Sequence, residues 1–379
     1  MKFFLLILLF FTTYEFLYAV DVIIDTDMGT DVDDTLAIVY SLVKSNDLNV
    51  IAISTCSPFP IISSNMAQKI SKSLGKDIPI FVGSNVTLLG DPFFHHGYEG
   101  VGVIFPWESY KTHPVNAVDA LNNLITHHNS PLELIVLGPT TNIAKLQKQY
   151  PTAFSKLQHI YFMGSSITPT EYSYLKQEDS LGYDYNFRID PQSSYQLLTT
   201  SRVPITLVPG NVTLSCWLDP KDYYHLQSKA RGSHTLEILL RELFIWTPLQ
   251  QQILNTKQYK NIAFLHDPMT VMVTNSKLRH LFNITKEKLL YPSISKENVL
   301  FVSTSGSGKS FKFNLVESIN CSGIQKEFMN SLLTTSYPQR SFPFLFYFPP
   351  FYVCLIVLIC SFPVLFVMKS FTQCILNRS

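Results

Sequence analysis

Short apolar runs rich in β-formers alternate with longer stretches of helical period along most of this chain, and that alternation leaves few folds open to it. "VDVIIDTD" at 20–27 reads as a first strand, and "DDTLAIVYSLVKS" follows as a helix with Leu36, Val39, Leu42 and Val43 on one face. "LNVIAISTCS" and "DIPIFVG" read as the next strands. "VNAVDALNNLITHH" then gives a helix, "LELIVLGP" a strand, "TTNIAKLQ" a helix and "QHIYFMG" a strand. After a loop of roughly twenty residues, long enough to suggest function, "YDYNFRIDP" leads through Asp190-Pro191 into another helix, and "VPITLVPG" is a further strand. Residues 219–280 read as mostly helical. "NVLFVSTSGSGKSFKFNLV" reads as two strands around a turn. The expectation is one α/β domain over 20–330 with a mostly parallel central sheet flanked by helices, then a short stalk over 331–341.

The charged fraction, 15%, is low for such a domain, and the two ends explain much of the deficit. Residues 1–19 carry Lys2, an apolar run from Phe3 to Phe11 and a small residue at Ala19, the layout of a signal peptide. Between Arg340 and Lys369 no charge occurs, so 342–368 is expected to cross a membrane. Its prolines narrow the helical part to Phe351–Met368. Lys369 and Arg378 in the tail 369–379 then predict a single-pass type I protein whose main domain is extracellular or lumenal. Glycosylation acceptors stand at Asn85, Asn211, Asn283 and Asn320. Three cysteines, Cys56, Cys216 and Cys321, fall in that domain, so at most one bridge is expected. A net charge of +1 argues against a nucleic-acid partner.

"IIDTDMGTDVDD" concentrates Asp25, Asp27, Asp31, Asp33 and Asp34 where the first strand hands over to the first helix. One or two acids there would cap the helix and oppose its dipole. Five need a counter-charge, and carboxylate oxygens suit a hard cation, Ca²⁺ or Mg²⁺. "STSGSGKS" imitates a phosphate-binding loop, but the required first glycine falls on Ser303 and the stretch joins two strands, so it reads as a hairpin turn.

These residues also carry a family resemblance. "DTDMGTDVDD" resembles the N-terminal signature of the nucleoside hydrolases, with two extra residues before the Asp-Asp pair. "HHGYEGVG", "LGPTTNIA", "YNFRIDP" and "LHDP" are similar to later motifs of that family, in the same order. The resemblance implies a single Rossmann-like nucleoside hydrolase domain that uses Ca²⁺ and splits ribonucleosides into base and ribose. It implies Ca²⁺ ligands at Asp27, Asp34, the Thr141 carbonyl and Asp267, ribose contacts from Asp33 and Asn186, and a sugar contact from Asp184 where the family has glutamate.

Asp27 would take the proton of the attacking water, and His266 is the candidate acid for the departing base. His96 is a weaker substrate-binding candidate, and a dimer or tetramer is a reasonable expectation. Ser57 and Pro58 replace the family's Gly-Asn pair. That departure and Asp184 leave two alternatives open: a Ca²⁺-dependent riboside receptor or adhesion protein without catalysis, and a hydrolase for another N-riboside.

Overall fold

The first strand, Val20–Thr26, is buried over its last five residues. Val22 and Ile24 enter one hydrophobic core while Ile23 enters the other, so the strand lies mid-molecule with a packed layer on each face. The structure is a computed structural model that describes residues 19–29, 31–94, 99–105, 116–165, 184–253, 261–296, 298–306 and 308–338.

In chain order the elements are β1 (Val20–Thr26), α1 (Asp33–Val43), β2 (Leu48–Thr55), α2 (Pro60–Ser73), β3 (Ile80–Val82), α3 (Ala117–His127), β4 (Leu132–Val136) and α4 (Thr141–Gln149). There follow α5 (Pro151–Phe154), β5 (His159–Met163), α6 (Tyr185–Ile189), α7 (Pro191–Thr200), β6 (Ile205–Val208), α8 (Gly210–Thr213), β7 (Trp217–Leu218) and α9 (Pro220–Lys229). The last are α10 (His234–Ile253), β8 (Ala263–Phe264), α11 (His266–Met272), β9 (Phe282–Ile294), β10 (Leu300–Ser303), β11 (Phe311–Ile319) and α12 (Cys321–Thr334).

Nine strands form one sheet in the order β10-β9-β11-β6-β5-β4-β1-β2-β3. From β3 across to β11 every neighbouring pair is parallel, and β9 and β10 add antiparallel pairs at one side. Apolar residues of α1, α2, α10, α11 and α12 fill one core, and those of α3, α4 and α7 fill the other. The expected α/β layering and mostly parallel sheet are therefore present.

Two expectations are corrected. Among the described residues no helix is long and apolar enough to cross a membrane; the longest, α10 at 20 residues, carries Glu237, Arg241 and Glu242. The C-terminal transmembrane helix, and the type I membrane placement built on it, are thus not upheld. Segment 342–368 and residues 1–18 lie outside the described residues. Next, β10 and β11 are not a hairpin pair: each is hydrogen-bonded to β9, which lies between them. The region 219–280 is mostly helical as expected, and β9 follows it in a stretch to which the sequence reading gave no element.

Cys216 and Cys321 form a disulfide with Cα atoms 5.2 Å apart, whereas Cys56 is a buried free thiol. The bridge joins the segment just before β7 to the first residue of α12. Asn85, Asn283 and Asn320 are exposed, and Asn211 is half-buried.

Candidate active site

The strand run β3-β2-β1-β4-β5-β6 reverses direction of travel between β1 and β4. In open parallel sheets ligands bind outside the carboxyl ends of the strands at such a reversal. The aspartates stand there. Gly138, just beyond β4, lies so close that a Cβ on it would sit 2.8 Å from the Asp27 backbone nitrogen and 2.9 Å from its Oδ1. The end of β4 therefore backs directly onto Asp27, and only glycine leaves room.

Asp33 and Asp34 open α1, and Asp267 is the second residue of α11. One carboxylate oxygen from each of Asp33, Asp34 and Asp267 lies within 4.8 Å of the others, and all three residues are buried. Asp34 is the hub: it shares hydrogen bonds with Thr26, Asp267 and Asp27. Burial, with the hydrogen bonds of Asp34 only partly opposing it, pushes the Asp34 carboxyl up to about 6. Burial and then the charges of their neighbours drive Asp27, Asp33 and Asp267 well above the ordinary carboxylate range.

Asp25 faces the other way. Its Oδ1 accepts from the Ser54 hydroxyl and, at 2.9 Å, from Asn142 Nδ2. Asn142 Nδ2 also donates to the Thr55 carbonyl (3.0 Å), and its Oδ1 accepts from the Ser84 backbone N–H (3.0 Å). This network ties β1, β2 and the start of α4 together behind the cluster. Thr141, fully buried at the start of α4, donates its hydroxyl to Asp190 Oδ2 at 2.5 Å.

The sugar-binding candidates lie two strands along. Asn186 Nδ2 donates to the carbonyls of Leu137 (2.6 Å) and Met163 (2.9 Å), bridging the ends of β4 and β5. Asp184 caps α6, accepting from the Phe187 backbone N–H at 3.1 Å and also from the N–H groups of Ser165 and Asn186. Burial outweighs those donors and pushes its carboxyl up to about 6. Half-buried His266 is held at Nδ1 by the Thr213 hydroxyl at 2.5 Å. Burial pushes its imidazole down to about 4, so that charging the ring is disfavoured where it stands. Ser57 is buried and its hydroxyl pairs with Ser63 Oγ at 2.7 Å. His96 lies outside the described residues.

Residues 22–312 match the family model described as inosine-uridine preferring nucleoside hydrolase. The chain belongs to that family. Among curated relatives, the pyrimidine-specific ribonucleoside hydrolase RihA of Citrobacter koseri is 24% identical over 264 residues, covering 67% of this chain and 78% of the relative. An uncharacterised Schizosaccharomyces pombe protein is 25% identical over 266 residues, covering 66% of this chain and 78% of its own. Of the solved structures, a purine-preferring ribonucleoside hydrolase from Gardnerella vaginalis superposes with a TM-score of 0.67 at 20% identity, covering 82% of this chain and 98% of that one. A plant nucleoside hydrolase gives 0.67 at 20% identity, covering 83% and 99%. These two likenesses establish the fold.

As a nucleoside hydrolase family member the chain is a hydrolase acting on N-glycosyl compounds. Several residues of the family member's crevice escaped the sequence reading. Asn142 stands in the quoted "LGPTTNIA" yet went unassigned, and Thr213 was read only as the third residue of the Asn211 glycosylation acceptor. Glu242, on α10, is 8% exposed with Oε1 accepting from Thr35 at 2.9 Å, next to the acids of α1. Nothing in its helical spacing marks it.

Proposed function

We propose that Asp27, Asp33, Asp34 and Asp267 hold a hard divalent cation, Ca²⁺, and that the chain uses it to hydrolyse the N-glycosidic bond of ribonucleosides, releasing free base and ribose. The supporting observation is the convergence of Asp33 and Asp34 with Asp267, more than two hundred positions later in the chain, on a space only 4.8 Å across. The donor set fits the ion: all ligand atoms are hard oxygens, they are buried, and their mutual repulsion lacks a counter-charge. When bound, such a cation neutralises the acids and makes a nearby water easier to deprotonate.

The remaining chemistry belongs to the chain. Asp27, hydrogen-bonded to Asp34 and pressed against Gly138, is fixed where it can accept the proton of the attacking water. The surrounding carboxylates stabilise positive charge that develops on the sugar as the base departs. Asn186 sets the spacing of the strand ends beneath the sugar. The neutral His266, held at Nδ1, offers its other ring nitrogen as a hydrogen-bond partner for the base.

One observation favours a second reading, riboside binding without cleavage. The Asp184 carboxylate is already engaged by three backbone N–H groups, which leaves it less free to hold a sugar hydroxyl. Base release from uridine and inosine by the full-length protein, followed with and without chelator, separates the two. Turnover abolished by chelation and restored by Ca²⁺ supports the enzyme; turnover indifferent to chelation refutes the cation's role, and binding with no base released supports the second reading.

A further inference from the structure

Ser165 stands two residues beyond the end of β5, after Gly164, and it combines two unusual properties. Its φ of 86° lies in the left-handed region, where a side chain is strained and glycine is not. Its hydroxyl is fully buried and has no hydrogen-bond partner among the described residues. Either property alone is disfavoured, and glycine would remove both. A residue that keeps a strained backbone in order to hold an unpaired buried hydroxyl is the pattern expected where a ligand completes the bond.

Its neighbours locate that ligand. The Ser165 N–H points at the Asp184 carboxylate, and its carbonyl accepts from Gly210 N–H at 2.9 Å. Met163, two residues earlier, takes the Asn186 amide through its carbonyl. Ser165 thus lies on the same rim of strand ends as the acid cluster, with β4 between β5 and β1. Two strand spacings, about 10 Å, separate such positions, a distance that a riboside bridges. Ser165 is fully buried, and Asp34 and Asp267 are each 2% exposed.

We propose that Ser165 Oγ is a substrate-contacting group, hydrogen-bonding a sugar hydroxyl of the bound riboside on the side away from the cation. This rests on the nucleoside hydrolase reading of the same site. The test compares wild-type, Ser165→Gly and Ser165→Ala full-length proteins, measuring KM and kcat for uridine and inosine, D-ribose affinity by calorimetry, and thermal midpoint. Glycine relieves the backbone strain and alanine keeps it, while both delete the hydroxyl. The expected result is a loss of about tenfold in ribose affinity and in KM for both variants, with kcat changed by less than about twofold, and with the glycine variant at least as heat-stable as wild type. A serine that merely held an internal water would leave ribose affinity and KM unchanged in Ser165→Gly, and that result overturns the proposal while the hydrolase reading stands. A wild-type protein that neither cleaves nucleosides nor binds ribose overturns both.

Discussion

At the scale of single residues, the acids divide by direction. Asp25 turns back into the sheet and is held by Ser54 and Asn142, whereas Asp34 turns toward Asp27 and Asp267. Replacing Asp34 or Asp267 by alanine should lower Ca²⁺ affinity and nucleoside turnover by on the order of a hundredfold or more, measured by calorimetry and base release. Asp25→Asn should retain most of the Ca²⁺ affinity, because it keeps the shape of a residue outside the ligand set; a loss as large as that of Asp34→Ala would contradict this division. Glu242 offers a pH test. Burial pushes its carboxyl from 4.5 up to about 8, so the folded chain holds a proton that the unfolded chain has released across that interval. Its contribution is complete below the ordinary value and is lost as pH rises through 8. In chelator, Glu242→Gln should therefore flatten the decline of stability between about pH 5 and 8, by up to about 1.4 kcal/mol per pH unit. Urea unfolding at stepped pH reads the slope, and an unchanged slope would show that Glu242 does not titrate in this way.

At the scale of elements, the legible parts were those with one strong period. β1, β4, β5 and β6 are dominated by apolar residues because helices cover both faces of the sheet, and in α1 Leu36, Val39 and Leu42 of the expected face are buried while Val43 is half-buried. β9 was missed for a physical reason. It sits beyond the parallel strands, alternates poorly, carries Lys286, Glu287 and Lys288, and bends where Glu287 adopts φ 51°. α2 escaped because Ser63, Ser64, Ser71 and Ser73 dilute its apolar face. In the site, the acids were legible since charge in a strand end has few explanations, but Ser165 and Thr213 act through backbone conformation and a single hydroxyl, which leave no pattern. Conformation also governs Gly138: Gly138→Ala should push the β1 end away from β4, costing about 1–3 kcal/mol of stability and at least about tenfold in Ca²⁺ affinity. An alanine variant with wild-type metal binding would show that Asp27 is not held by this contact.

At the scale of the whole molecule, the Cys216–Cys321 bridge closes a loop of 105 residues and anchors the strand whose partner leads into His266 and Asp267. Leu265 N–H donates to the Cys216 carbonyl at 3.0 Å, so the bridge and the turn that carries His266 and Asp267 are one hydrogen bond apart. Replacing both cysteines by serine should cost about 2–4 kcal/mol, seen as a lower unfolding midpoint that reductant no longer shifts. Equal midpoints for wild type with and without reductant would show that the bridge contributes nothing. The outermost strands of the sheet are brief, three residues in β3 and four in β10. Among the described residues, neither rim of the sheet therefore offers more than a few residues of backbone to a chain that would zip itself on by strand addition, which discourages growth into fibres.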